Sequence, residues 1–360
     1  MAKPKIGVIG AGIYGSKVIK AYHSAHLDGS VDFAAFSEIN PTVMGETESK
    51  FGIKGYLDYK EMVARENLDG VAIVTPDYLH AEITNYCAEN GLHMLVQKPL
   101  DTTTDGARRM VATAKKQNVM LFVDFHKRYD PGHLCLRNDI DAGKLGKVQY
   151  GYVHMEDQIR VPSIWFKNWA QHSSPVWFIG VHFFDLIYWL MRSKPVEVYA
   201  TGVKEKLVSM GIDTYDSLQS KFKFENGASF IVDACWILPD SFTAGVNQGI
   251  RVVGTEGMME VDSEDRGVLA AFSSDKTAAT LNPYGHIEVP DLVHGGTRLS
   301  GYTIESMLHF LKLLALLKGG KTLKELDGLY PSGDEAIVST RMCEAAHQSA
   351  VSGKIEALNL

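Results

Sequence analysis

Apolar and polar positions follow two different rhythms along the chain. In the first third, short apolar runs recur between stretches with helical spacing. Ile6–Ile9, Val31–Phe36, Val71–Val74, Leu92–Gln97 and Val119–Val123 read as buried strands. Gly15–His26, Tyr78–Glu89 and Asp105–Gln117 place apolar residues on one helical face, the second closing at Asn90-Gly91. Continuous apolar strands separated by helices predict βαβ units, hence a parallel sheet covered on both faces.

The rhythm changes after about residue 128. Lys147–Asp157, Val196–Lys206, Ser217–Phe224 and Ser229–Leu238 read as longer strands, several of them alternating. Glu225-Asn226-Gly227 makes a tight hairpin turn, and the Gly254–Gly257 turn precedes short strands through about Phe272. Hairpin-joined strands predict a mostly antiparallel sheet in a separate domain. Helices are expected over Val181–Arg192, Ile304–Leu317 and Asp334–Val351. The fold class is therefore α/β: a doubly wound parallel-sheet domain at 1–127, then an α+β domain at 128–360 with an open sheet. The last helix is free to pack back on the first domain.

Size agrees with that division: the chain has 360 residues, and a single core rarely grows past roughly 250–300. A net charge of −7 argues against nucleic acid or an anionic membrane as the main partner. Cys87, Cys135, Cys235 and Cys343 lie far apart, which points to reduced thiols and a cytoplasmic protein. The start, Met1 to Lys5, runs into a glycine-interrupted stretch without signal-peptide character, and no run approaches the ~18 apolar residues of a membrane span. Thirteen histidines occur, but none has the spacing of a zinc motif, so no metal is expected.

The most informative local pattern is Gly10-Ala11-Gly12-Ile13-Tyr14-Gly15, a G-x-G-x-x-G that follows the first strand and opens a helix. Such a loop turns tightly, lets backbone approach a pyrophosphate and sets that anion on the helix N-terminus. Glu38 stands just past the second strand, where an acid accepts from both ribose hydroxyls and repels a 2′-phosphate. With no Arg or Lys before Lys50, the pattern favours NAD over NADP. Thr75-Pro76…His80 and Gln97-Lys98-Pro99 follow later strands, at the edge where such sheets bind ligands. Lys98, partly desolvated beside a cationic ring, could exchange a proton with a substrate hydroxyl; otherwise it is a loop lysine in a surface ion pair.

Taken in order, G-x-G-x-x-G, Thr75-Pro76…His80, Gln97-Lys98-Pro99, Arg128…Pro131, Gly143–Gly146 and Gly180-x-His182-x-x-Asp185 resemble the glucose–fructose oxidoreductase/inositol dehydrogenase family, Gfo/Idh/MocA. The resemblance covers nearly the whole chain. It implies a Rossmann domain, a second domain with an open antiparallel sheet, and dimers or tetramers. It also implies hydride transfer between NAD and a ring hydroxyl or ketone of a sugar or cyclitol. By position, Gly10, Gly12, Ile13, Tyr14, Gly15, Glu38, Thr75, Pro76, His80 and Gln97 would hold the cofactor. Lys98 would be the lysine of the E-K-P motif and His182 the proton carrier of the second domain. Two residues depart from the pattern: Gln97 replaces the acid of E-K-P, and Phe178 replaces the Asp of D-x-G-x-H. Asp185, at i, i+3 from His182, is a substitute that could orient its ring.

Nine aromatics lie between Trp165 and Trp189. They suit either the apolar face of a sugar or ordinary packing. Trp165 and Trp169 are the stronger pocket candidates, with Arg128 expected at substrate or as a structural bridge. His294 and Tyr302 are further candidates from the second domain. The expected activity is an NAD-dependent dehydrogenase. Two rivals stay open: a redox-neutral glycoside hydrolase or lyase using transient oxidation, and a non-catalytic nucleotide-binding regulator.

Overall fold

The computed structural model describes residues 3–274 and 278–360; Met1 and Ala2, part of the N-terminal stretch read above, lie outside them. The chain divides into two compact units, one of residues 1–126 with 285–337, the other of residues 127–284 with 338–360.

In the first unit, β1 (Lys5–Ile9), α1 (Gly15–Leu27), β2 (Asp32–Ser37), α2 (Pro41–Phe51), β3 (Lys54–Tyr56) and α3 (Tyr59–Glu66) are followed by β4 (Gly70–Ile73), α4 (His80–Glu89), β5 (His93–Val96), α5 (Thr104–Lys116) and β6 (Leu121–Val123). All strand pairs in this sheet are parallel, in the order β3-β2-β1-β4-β5-β6. That order reverses between β1 and β4, so the strand ends there open a crevice for a ligand. Strand β4 is buried along its whole length, as a sheet covered on both faces requires. The α2-β3-α3 segment was not expected from the sequence. Helix α2 buries no residue, so it carries little apolar periodicity to read.

The second unit holds α6 (Pro131–Asp141), β7 (Val148–Gln158), α7 (Lys167–Ala170), α8 (Val181–Met191), β8 (Pro195–Val203), α9 (Lys206–Ser209), β9 (Ser217–Phe224), β10 (Ser229–Leu238), β11 (Val246–Gly254) and β12 (Met258–Asp262). A small hairpin, β13 (Val268–Ala270) with β14 (Ala279–Leu281), follows. The main sheet runs β12-β11-β7-β10-β9-β8, with one parallel pair, β7 and β10, in an otherwise antiparallel arrangement. Strand β9 alternates buried and exposed residues, which leaves one face of the sheet outward. At the β9–β10 turn Gly227 has φ +89°, and its N–H donates to Phe224 O at 2.9 Å.

The chain then adds β15 (Ile287–Pro290), β16 (Thr297–Ser300) and α10 (Tyr302–Lys318) to the first unit. Lys20 on α1 holds this hairpin, donating to Glu288 at 2.7 Å and Thr297 at 2.8 Å. Helix α10 packs on α1 and β5. The sequence reading cuts the chain once, after residue 127; contacts this distant in sequence leave no local signal of where they dock. The division falls inside α11 (Gly333–Ser352), and the terminal β17 (Glu356–Ala357) pairs with β8.

Candidate active site

The loop after β1 has the geometry that its glycines imply. Gly10 has φ +99°, and a Cβ there would sit 2.5 Å from Val74 O. A Cβ on Gly15 would fall 2.2 Å from Gly10 O, so α1 can pack against the loop only without one. A Cβ on Gly12 would meet nothing within 4 Å, so its backbone faces open space. Helix α1 has no side-chain cap and no acid in its first turn, which leaves its positive end to an anion. Glu38 lies at the same edge, its Oε2 accepting from Ala11 N at 2.9 Å and its Oε1 from Asn40 N at 3.0 Å. An open cradle, an uncapped helix end and an adjacent carboxylate fit a dinucleotide with a free ribose diol. Ile13 is exposed on this loop. Tyr14, counted with the cofactor residues from sequence, directs its hydroxyl to Asp124 Oδ2 at 3.4 Å.

The next strand ends carry the other candidates. Thr75 and Pro76 follow β4, Pro76 exposed and Thr75 half-buried. His80 is buried, with Nδ1 2.9 Å from Pro99 O and Nε2 3.0 Å from Thr75 O. Both its nitrogens therefore meet backbone, and the ring ties the Thr75 loop to the Pro99 loop. Lys98 is half-buried after β5, and the Lys98–Pro99 peptide is cis. Gln97 is buried and donates from Nε2 to Asp124 Oδ2 at 2.5 Å. Asp124, just past β6, joins these candidates through Gln97, and the sequence reading did not single it out. It is 0% exposed and also accepts from Ser306 Oγ at 2.5 Å. An acid immediately after the apolar run Val119–Val123 was the available signal. Burial pushes its carboxyl above the usual range, while Ser306, Gln97, Tyr14 and the Lys98 charge oppose that.

The second unit gathers its candidates on α8 and before it. His182 is 4% exposed and Asp185 0%. Arg128 donates to Asp185 from Nε at 2.8 Å and from Nη2 at 2.6 Å, a bidentate pair. The Arg128 fork is thus engaged by a buried acid of its own unit, and both Asp185 oxygens accept from it. Lys127 is 1% exposed, bonded to Gln248 Oε1 and 5.4 Å from the Phe183 ring. Phe178 packs against Phe166 and Trp169, each at 5.4 Å, and against Trp236 at 6.1 Å. Trp169 is therefore part of an aromatic cluster, whereas Trp165 is 52% exposed. His294 and Tyr302 belong to the first unit: His294 sits 3.4 Å from Asp291, and Tyr302 is buried against His126. Among the described residues no cluster of three His, Cys, Asp or Glu could hold a metal, and no helix is long and apolar enough to cross a membrane.

Residues 4–125 match the family model described as oxidoreductase family, NAD-binding Rossmann fold, and residues 133–260 match the GFO/IDH/MocA C-terminal domain. The chain belongs to the Gfo/Idh/MocA family. It is 27% identical over 266 residues to myo-inositol 2-dehydrogenase of Thermotoga maritima, covering 72% of this chain and 75% of that one. It is 28% identical over 246 residues to scyllo-inositol 2-dehydrogenase (NAD(+)) of Bacillus subtilis, covering 66% and 68%. In fold it is similar to the crystal structure of myo-inositol 2-dehydrogenase from Lactobacillus plantarum, with TM-score 0.80, 20% identity and coverage of 99% and 100%.

As a Gfo/Idh/MocA protein the chain has an NAD-binding Rossmann domain in its first unit. Gly10, Gly12, Gly15 and Glu38 supply the fitting groove. The two departures from the family pattern have physical counterparts. The Gln97 amide meets a buried acid, where a second carboxylate would be repelled. The Phe178 ring completes an aromatic cluster, in which an ionised Asp would lie against three rings.

Proposed function

We propose that the protein is an NAD-dependent dehydrogenase acting on a ring hydroxyl, or the corresponding ketone, of a cyclitol or related sugar. The named relatives act on inositols, which makes an inositol-like ring the first substrate to try. The carrying observation is the lysine that follows β5, two strands from the glycine loop in the same parallel sheet. When bound, NAD supplies the hydride acceptor. Lys98 takes the hydroxyl proton as the C–H bond breaks, and His182 is the second proton-transfer group. Glu38 accepts from the ribose hydroxyls, which favours NAD over its 2′-phosphorylated form. Proton transfer of this kind contributes about 10²–10⁴-fold.

The test is NADH formation with myo-inositol, scyllo-inositol and a panel of aldoses. Turnover with a cyclitol supports the reading. Tight NAD binding with no NADH from any polyol overturns it, and glycoside cleavage without net NADH would replace it with the redox-neutral reaction.

A further inference from the structure

The strand end beside Lys98 carries a charge that the motif residues alone do not explain. Asp124 N donates to Val96 O at 2.9 Å, which sets residue 124 in register with the start of the Gln97-Lys98 loop. Its carboxylate, wholly shielded from solvent, accepts from Gln97 after β5, Ser306 on α10 and Tyr14 at the start of α1. Three donors from three separate elements converge on one acid. The ionised form satisfies all three at once, whereas a protonated acid would need one of them to turn and accept.

We propose that Asp124 is a positioning residue for Lys98, a buried anion that governs when the neighbouring amine gives up its proton. This rests on the dehydrogenase reading, in which Lys98 carries the proton. Residues 97 and 124 form a matched pair. In the E-K-P pattern the acid precedes the lysine on the same loop; here that position is an amide, and the acid stands on the adjacent strand end, 2.5 Å from it. Lys98 is among the groups whose charge acts on Asp124. Among the described residues, titratable groups that face Asp124 include Tyr14 and Tyr22 from α1, with Tyr302 of α10 beside Tyr14 and His126 against Tyr302. Burial pushes the Tyr14 and Tyr22 hydroxyls well above their ordinary value, so both stay neutral near pH 7.

The test compares wild type, Asp124→Asn and the charge-transposed Gln97→Glu/Asp124→Asn protein. It uses the pH profile of kcat/KM for cyclitol oxidation, together with the pH titration of the Lys98 Cε chemical shift in the NAD-bound protein. Without the anion the ammonium loses its proton at lower pH. Asp124→Asn is therefore expected to move both the acid limb and the Cε titration down by about one pH unit, the lower end of what an adjacent opposite charge does. Gln97→Glu/Asp124→Asn returns a carboxylate to the cage and is expected to restore both curves. A fall in rate with both curves unmoved is the signature of a merely structural residue and overturns the proposal, as does a displaced curve in the transposed protein. Should the variants not fold, the carboxyl-carbon shift of Asp124 in wild type decides: ionised at assay pH supports the proposal, protonated throughout overturns it. A protein with no turnover refutes the dehydrogenase reading but still reports the Cε titration, so the two failures are distinguishable.

Discussion

Two wholly buried aspartates of the second unit and one of the first are held in different ways. Asp185 of the second unit lies in a bidentate pair with Arg128, and Asp130 of the same unit accepts from Arg266 at 3.0 Å and 3.2 Å. Each is 0% exposed, and each is matched by a guanidinium. Asp124 of the first unit is equally buried, but Gln97, Ser306 and Tyr14 are neutral donors. A guanidinium cancels the charge that it binds; a hydroxyl or amide only solvates it. In the second unit Asp185 and Asp130 are thus each locked in an ion pair. With Asp124 ionised, as proposed above, the first retains a negative field at the strand ends, beside the lysine proposed to move a proton.

The sharpest way to break this contrast is to remove the cation that the field acts on. Lys98→Met is expected to fold and to bind NAD, since the glycine loop and Glu38 are untouched. Turnover should fall by about 10²–10⁴-fold, the usual worth of positioned acid–base help. Steady-state NADH formation and a calorimetric NAD titration measure the two together. A near wild-type rate would remove Lys98 from the chemistry and leave the field of Asp124 without a recipient.

Breaking a guanidinium pair should act on folding instead. Arg128→Leu leaves Asp185 buried beside no matching fork, and such losses cost about 3–5 kcal/mol. Chemical denaturation should show that loss. The double variant Arg128→Leu/Asp185→Leu should recover much of it, because replacing a buried pair by apolar groups is often near neutral. Equal stability of the single and double variants would show that the pair is not what holds α8.

How these regions could be read from sequence differs for the same physical reason. The parallel strands, the glycine loop and Glu38 are local signals: each is written in a run or a spacing, and each stands where that spacing implies. The α2-β3-α3 segment and β11 were missed; α2 buries no residue, and β11 breaks its apolar run with Asn247, Gln248 and Gly249. The return of 285–337 to the first unit depends on contacts such as Lys20 with Glu288, which span 268 residues. Asp124 escaped notice because a single acid has no period. The fates of Arg128 and Asp185 were open because both suit a ligand as well as they suit each other.

A weaker test lies in the pH dependence of the second unit. His133 is buried, with Nδ1 2.8 Å from Lys127 O, and burial lowers its pKa from 6.5 to about 4, with Lys127 and Arg266 adding to the effect and Asp130 opposing it. The unfolded chain therefore binds a proton near 6.5 that the folded one refuses until about 4. Stability is full above 6.5 and falls as pH drops through that window. His133→Asn keeps a donor for Lys127 O but does not titrate. It should lose less stability than wild type between these limits, by on the order of 3 kcal/mol at about 1.4 per unit. Thermal melts across the window measure it, and parallel curves would mean that the ring accepts its proton in the fold.

The smallest effect separates the donors around Asp124 from one another. Tyr14 lies 3.4 Å from the carboxylate, against 2.5 Å for Gln97 and Ser306. A long bond contributes little, so Tyr14→Phe should cost no more than about 0.5–1 kcal/mol in denaturation. It should nevertheless make Asp124 slightly harder to ionise, and so move the acid limb of turnover in the direction of Asp124→Asn, by less. Ser306→Ala removes a short bond and should move it further. If Tyr14→Phe exceeds Ser306→Ala, the hydroxyl of the glycine loop is the main support of the charge, and NAD binding at that loop would then be coupled directly to the acid.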